Sequence, residues 1–226
     1  MFKFKELLEL WRKDNNLTQA FHDSETMLEN AYEMFRASIK ALRENSVIET
    51  RKNVREMDVV INNYERDVRR KVLQHLAITG GMNIIPGLIL TSIVIDLERI
   101  GDYTKNIADL AKTMEAKMDT GIFKDDILKI EEKVDAMFKN LLPILMSSDK
   151  ERARSLVTQN WNILKKSDEI MNAIITEKDP KLSPGNAAAT ALYVRYLKRI
   201  AAHLINVGTS IVNPFENVGF RVEDDD

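Results

Sequence analysis

The feature that most constrains this chain is the placement of its helix breakers. Glycine and proline are few, 8 and 5 in 226 residues, and they are clustered. Most of them fall at Thr79-Gly80-Gly81, Pro86-Gly87, Asp119-Thr120-Gly121, Asp179-Pro180, Ser183-Pro184-Gly185 and Asn213-Pro214. Between them run long segments rich in Leu, Lys, Glu, Ala, Met and Arg, with apolar residues three and four positions apart. That is the spacing of one face of an α-helix. No segment of useful length alternates with period two, so strands are not expected. The pattern predicts an all-α chain with a short N-terminal helix near 3–13 and six long helices. The long ones lie near 17–44, 47–78, 84–117, 123–147, 149–178 and 184–212. Pro86 and Pro184 suit first helical turns, where a missing N–H breaks no internal bond. Pro143 is expected to kink the fourth long helix or end it early.

A shift of the chain by about one hundred residues lays Asp96-Leu97-Glu98-Arg99-Ile100-Gly101-Asp102 over Tyr196-Leu197-Lys198-Arg199-Ile200-Ala201-Ala202. Asn106-Ile107 falls on Asn206-Val207. The apolar stripe keeps its register, with Ile93, Leu97, Ile100, Thr104, Ile107 and Ala111 matching Tyr193, Leu197, Ile200, Leu204, Val207 and Ile211. Two stripes in one register indicate an internal repeat of three helices. A lone helix cannot bury its stripe, so each trio is expected to form an antiparallel bundle with short loops. The expected units are residues 1–118 and 119–226, two tandem three-helix bundles.

Composition narrows the function classes. A net charge of −2 gives no basic footprint for nucleic acid. The absence of cysteine excludes disulfides, thiolate metal sites and cysteine nucleophiles. The most apolar stretch, Ile84 to Ile95, is interrupted by Pro86, Gly87, Thr91 and Ser92 and is shorter than the roughly twenty residues a membrane span needs. The first ten residues carry Lys3, Lys5 and Glu6, which does not suit a secretory signal. A soluble, cytoplasmic chain is expected. A Gly-rich phosphate loop, a His-Glu-x-x-His pair and a nucleophile elbow are all missing, and the histidines are His22, His75 and His203. The chain is therefore not expected to be an enzyme.

Glu98 and Asp102 are four residues apart, so they project from neighbouring turns at the flank of the stripe that carries Leu97 and Ile100. Carboxylates so placed repel unless a cation neutralises them, and hard metal ions favour such oxygen ligands. Spacing leaves two readings open. A metal could bridge the pair, or Arg99 or Lys105 could partner it as ordinary surface charge. Trp11 and Trp161 are expected to pack between helices, and Arg66, Arg69, Arg70 and Lys71 to form a solvated face. His203 is expected in a packing or surface role, and Asn106 and Asn206 as structural hydrogen-bonders between helices.

The run Leu97-Glu98-Arg99-Ile100-Gly101-Asp102-Tyr103-Thr104-Lys105-Asn106-Ile107-Ala108 resembles the signature of PhoU-family proteins. The opening Leu8, Leu10, Trp11, Arg12 and Lys13, and the run Glu65 to Leu73, are also similar to stand-alone members of that family. The resemblance implies paired three-helix bundles with metal clusters on acidic motifs. It also implies an adaptor that docks on a phosphate transporter or sensor kinase, reaching the membrane only through that partner. A homo-oligomer is compatible with it. Carried onto this chain, the metal ligands are Asp58 and Asn62 from the middle helix with Glu98 and Asp102 from the third. The ion would be divalent or trivalent: Fe, Zn, Mg or Mn. Asn62 puts a neutral oxygen where a charged ligand belongs, which weakens the site. In the second repeat Asp168 and Asn172 keep the spacing, but Lys198 and Ala202 replace both third-helix ligands. No metal is expected there, and Lys198 is expected to pair with Asp168 or Glu169. The competing readings are a metal-dependent phosphoester hydrolase using Asp58, Glu98 and Asp102, and a metal-free helical scaffold.

Overall fold

The described residues form six long helices in the order α1 Asn15–Glu44, α2 Ile48–Ile78, α3 Ile84–Thr113, α4 Lys124–Ser147, α5 Lys150–Ile175 and α6 Pro184–Val212. The structure is a computed structural model that describes residues 15–44, 48–79, 84–114 and 116–222, leaving out the side chains of 15 and 48–52. Single 3-10 turns, Gly121–Phe123 and Phe215–Asn217, precede α4 and follow α6. No strand occurs among the described residues. The expected N-terminal helix near 3–13, with Trp11, lies outside them.

Local chemistry sets most of the helix ends. Ser183 caps α6 by accepting from Asn186 N, with Pro184 in the first turn, and Asp149 caps α5 by accepting from Arg152 N at 3.0 Å. Ser148 closes α4 in the left-handed conformation, φ 53°. Pro143 does not end α4, which continues to Ser147. Its neighbours Leu141, Ile144 and Leu145 are all buried, and that packing holds the turn after the proline in place. α3 stops at Thr113, short of the expected 117.

α1, α2 and α3 pack on one another, as do α4, α5 and α6, and the two trios meet chiefly through α3 and α6. The register stripes of these two helices are buried throughout, with none of the twelve residues above 2 % exposed. Burying one such Leu or Ile side chain contributes about 1.5–3 kcal/mol. Because α3 faces α1, α2 and α6, it needs apolar residues around most of its girth. This accounts for the buried Ile89, Leu90, Ile93 and Val94 of the run from Ile84 to Ile95, while Ile84, Leu88 and Ile95 stay exposed.

Glycine matters most at Gly121, with φ +53°, where a Cβ would come within 2.0 Å of Asp179 Oδ2. That carboxylate accepts from Ile122 N at 3.0 Å and from Lys181 N at 3.1 Å, pinning the α5–α6 loop to the segment entering α4.

A second contact between the trios joins α1 to α4. Tyr32 stacks on Phe138 with ring centroids 5.2 Å apart, and its hydroxyl donates to Asp135 Oδ1 at 2.8 Å. Lys139 Nζ lies 2.6 Å from Asp135 Oδ2. Burial alone would raise the Asp135 pKa, but the hydrogen bonds from Lys139 and Tyr32 outweigh it and hold the carboxyl below its ordinary 3.8. A carboxyl lowered on folding supplies stability above its unfolded pKa, and that stability is lost as pH falls through the folded one. Tyr32→Phe is therefore expected to cost about 0.5–1.5 kcal/mol at neutral pH. The difference from wild type should shrink as pH falls below 3.8. Urea unfolding of both proteins across that range measures it, and a pH-independent difference would contradict the assignment.

Candidate functional site

The middle and third helices of the first trio bring the expected acidic residues to one face. α2 contributes Asp58, buried, with Asn62 one turn on and half-buried. α3 contributes Glu98 and Asp102 with side chains 18 % and 32 % exposed. The cation between them is a lysine. Lys105 Nζ donates to Asp58 Oδ2 at 2.9 Å and to Asp102 Oδ1 at 2.7 Å, tying α2 to α3. Arg99 stands at the rim, Nε 3.5 Å from Glu98 Oε2 and Nη1 3.7 Å from Asp102 Oδ2. Of the two readings that spacing left open, this geometry is the ion-paired one.

The electrostatics agree. Burial would lower the Lys105 pKa, but its hydrogen bonds to Asp102 and Asp58 and their charges outweigh it and raise it. Glu98 lacks such a partner. Burial first, then the charges of Asp102, Glu65 and Asp58, push its carboxyl above the ordinary value, with Arg99 only partly offsetting them. Among the described residues, no three His, Asp or Glu side chains are grouped to hold a metal ion. Asp58, Glu98 and Asp102 lie near one another, yet as arranged they do not fit a resident metal. Asp58 and Asp102 are turned onto an ammonium.

In the second trio Lys198 Nζ straddles the Asp168 carboxylate, 2.6 Å from Oδ1 and 2.7 Å from Oδ2. This is the first of the two pairings expected for it. Asn172 is exposed, and Ala202 offers no ligand atom.

The most heavily bonded polar cluster lies elsewhere, in the seam between α3 and α6. The two helices run antiparallel there, with Asp96 beside His203 and Asn206, and Tyr103 beside Arg199. His203 Nδ1–H donates to Asp96 Oδ1 at 2.7 Å, and Asn206 Nδ2 donates to the same oxygen at 3.1 Å. Arg199 donates from Nη2 to His203 Nε2 at 3.3 Å and from Nε to the Tyr103 hydroxyl at 3.1 Å. The Tyr103 ring stacks on His203 at 5.8 Å, and the Arg199 guanidinium lies 5.5 Å from the Tyr103 centroid. The packing role expected of His203 and the helix-bridging role expected of Asn206 are both met. Asp96 was not foreseen. Its signal was an acid inside the apolar run Ile93-Val94-Ile95-Asp96-Leu97.

A second unforeseen group is Glu131 of α4, buried, which accepts from the Tyr193 hydroxyl at 2.6 Å and from Arg43 of α1. Tyr193 is fully buried, which raises its pKa strongly. These two residues end a cavity of about 470 Å³ at the junction of the trios, also lined by Lys117, Met118 and Lys124. The basic run on α2 is largely paired, Arg69 with Glu65, Arg70 with Asp67 and Lys71 with Asp23. Trp161 packs against the core under Arg221.

Two three-helix repeats joined back to back through their third helices define a tandem-repeat helical-bundle protein. A family model described as the PhoU domain matches the chain twice, over residues 25–111 and 127–211, and the chain belongs to that family. It is 24% identical over 159 residues to a phosphate-specific transport system accessory protein PhoU homolog of Clostridium acetobutylicum, covering 69% of this chain and 72% of that one. The fold is similar to the crystal structure of PhoU from Pseudomonas aeruginosa, with TM-score 0.78, 21% identity and coverage of 87% and 95% of the two chains. It is also similar to the phosphate transport system regulatory protein PhoU from Streptococcus pneumoniae, with TM-score 0.77, 17% identity and coverage of 91% and 97%.

Removing the seam acid leaves the buried His203 and the half-buried Asn206 without that acceptor. Asp96→Ala is expected to destabilise the protein by about 1–3 kcal/mol. The further loss from His203→Ala in that background should be well below its loss in wild type, because the two residues share one interaction. Chemical denaturation of the four proteins tests this, and additive losses would show that the seam contact carries no energy.

Proposed function

We propose that this chain is a regulator or adaptor of phosphate transport and phosphate signalling, which docks its helical surface on a transporter or sensor kinase. The observation that carries this reading is the match of both repeats to the PhoU domain, over residues 25–111 and 127–211. The similarity to the Clostridium acetobutylicum phosphate-specific transport system accessory protein supports it. Taking 1–118 and 119–226 as the repeat units, the adaptor offers two similar faces on one rigid axis. Exposed Leu73 and Ile78 at the end of α2, with Ile84 and Leu88 at the start of α3, supply apolar area of the kind a docking partner covers. No helix among the described residues is long and apolar enough to cross a membrane, so in this reading contact with the bilayer runs through the partner.

The hydrolase reading is weaker. It needs Asp58 and Asp102 free to hold a metal, and both are bonded to Lys105.

Deletion of the gene in its native host tests the adaptor reading. The expected result is phosphate uptake and phosphate-responsive transcription that no longer follow external phosphate, restored by the full chain. Unchanged uptake and transcription at both high and low phosphate would sink it.

A further inference from the structure

We propose that in this chain lysine ammonium groups take the place of metal ions in both repeats, and that Lys105 holds the first-repeat aspartates turned onto itself and away from a divalent cation. The inference stands on the two ion-paired sites and does not rest on the docking reading.

The first argument is distance. The Asp58 and Asp102 oxygens lie 2.9 and 2.7 Å from Lys105 Nζ, and the Asp168 oxygens 2.6 and 2.7 Å from Lys198 Nζ. These are N–H···O lengths. A magnesium ion draws its oxygens in to about 2.0–2.1 Å and wants six of them in octahedral geometry. The first-repeat oxygens are spaced for an ammonium, which uses two of its three donors on them.

The second argument is charge. Asp58, Glu98 and Asp102 bring three carboxylates, and Lys105 and Arg99 bring two cations. Without Lys105, three carboxylates would face one guanidinium at the rim. That deficit of two charges is what one divalent ion supplies. The second repeat differs, because Lys198 contacts the single carboxylate of Asp168 among the described residues, and the Ala202 side chain has no oxygen to add.

The third argument is position. The two lysines are not equivalent in the repeat. Lys198 matches Glu98, whereas Lys105 stands three residues beyond Asp102. Each still reaches the aspartate of its middle helix. What the two sites share is the need for a cation between middle and third helices, met from whichever turn can reach.

The test uses the full chain as wild type, Lys105→Met, Lys198→Met and the double variant Lys105→Met with Asp58→Asn. Each is stripped with EDTA and melted with and without Mn²⁺ or Mg²⁺, and metal content is measured before stripping. Wild type is expected to carry no stoichiometric metal and to melt at the same temperature in EDTA and in Mn²⁺. Lys105→Met should melt lower by roughly 3–8 °C, and Mn²⁺ should restore at least about half of that by binding only the folded state. Lys198→Met should also melt lower but not respond to either ion, and Asp58→Asn should abolish the response of Lys105→Met. Should Lys105→Met fail to fold, Lys105→Gln replaces it, and the wild-type arm stands in any case. Stoichiometric metal in wild type, a wild-type melting temperature that falls on chelation, or no ion response in a folded Lys105 variant would each overturn the proposal.

Discussion

The antiparallel contact of α3 with α6 is the constraint on which the rest of the molecule depends. Each of these helices is the third of its trio, so it must satisfy two apolar partners within the trio and one across it. That leaves little of its surface for water. Polar groups on the seam must then answer one another, because an unpaired buried donor or acceptor costs about 1–3 kcal/mol. Asp96, His203, Asn206, Arg199 and Tyr103 do so as a set, with every contact made between side chains of the two central helices or one turn along α6. Such a network fixes the register of one trio on the other. An apolar seam would give attraction but would tolerate sliding.

The same geometry decides where the acidic residues sit. α3 turns its fully apolar stripe to the core and the seam, so Glu98 and Asp102 emerge at its flank, against α2. There the field of neighbouring carboxylates is strong, and something positive must enter. Lys105 enters, and its ammonium reaches two aspartates. Its effect is structural, since it cross-links the middle and third helices much as a metal would. Lys198 cross-links α6 to α5 by the same chemistry.

For an adaptor, such a framework has a use. A protein that works through its surface needs faces held in fixed relation, and chemistry at its interior sites matters less than their rigidity. Two repeats locked through α3 and α6, and again through Tyr32 and Asp135 or Arg43 and Glu131, meet that need. Pairs that depend on charge are also places where pH and salt can loosen the frame.

The sequence by itself determined the helices, their breaks and the repeat. Each of these is written in a local period or a local cap: apolar residues at three- and four-residue spacing, Pro184 after Ser183, and Leu97 and Leu197 in one register. It also put Glu98 and Asp102 at one helix flank and named Lys105 among the cations able to meet them, whereas Asp58 entered only through the family resemblance. Pro143 shows the limit of local rules, because buried neighbours carried α4 past it. Tertiary structure alone decided the partners. Asp58 is 47 residues from Lys105 and Asp96 is 107 from His203, and no periodicity ranks Lys105 above Arg99 or pairs an acid on α3 with a histidine on α6. Spacing tells which face a side chain occupies, whereas its counter-charge is set by which helix packs against that face and which side chain is long enough to cross.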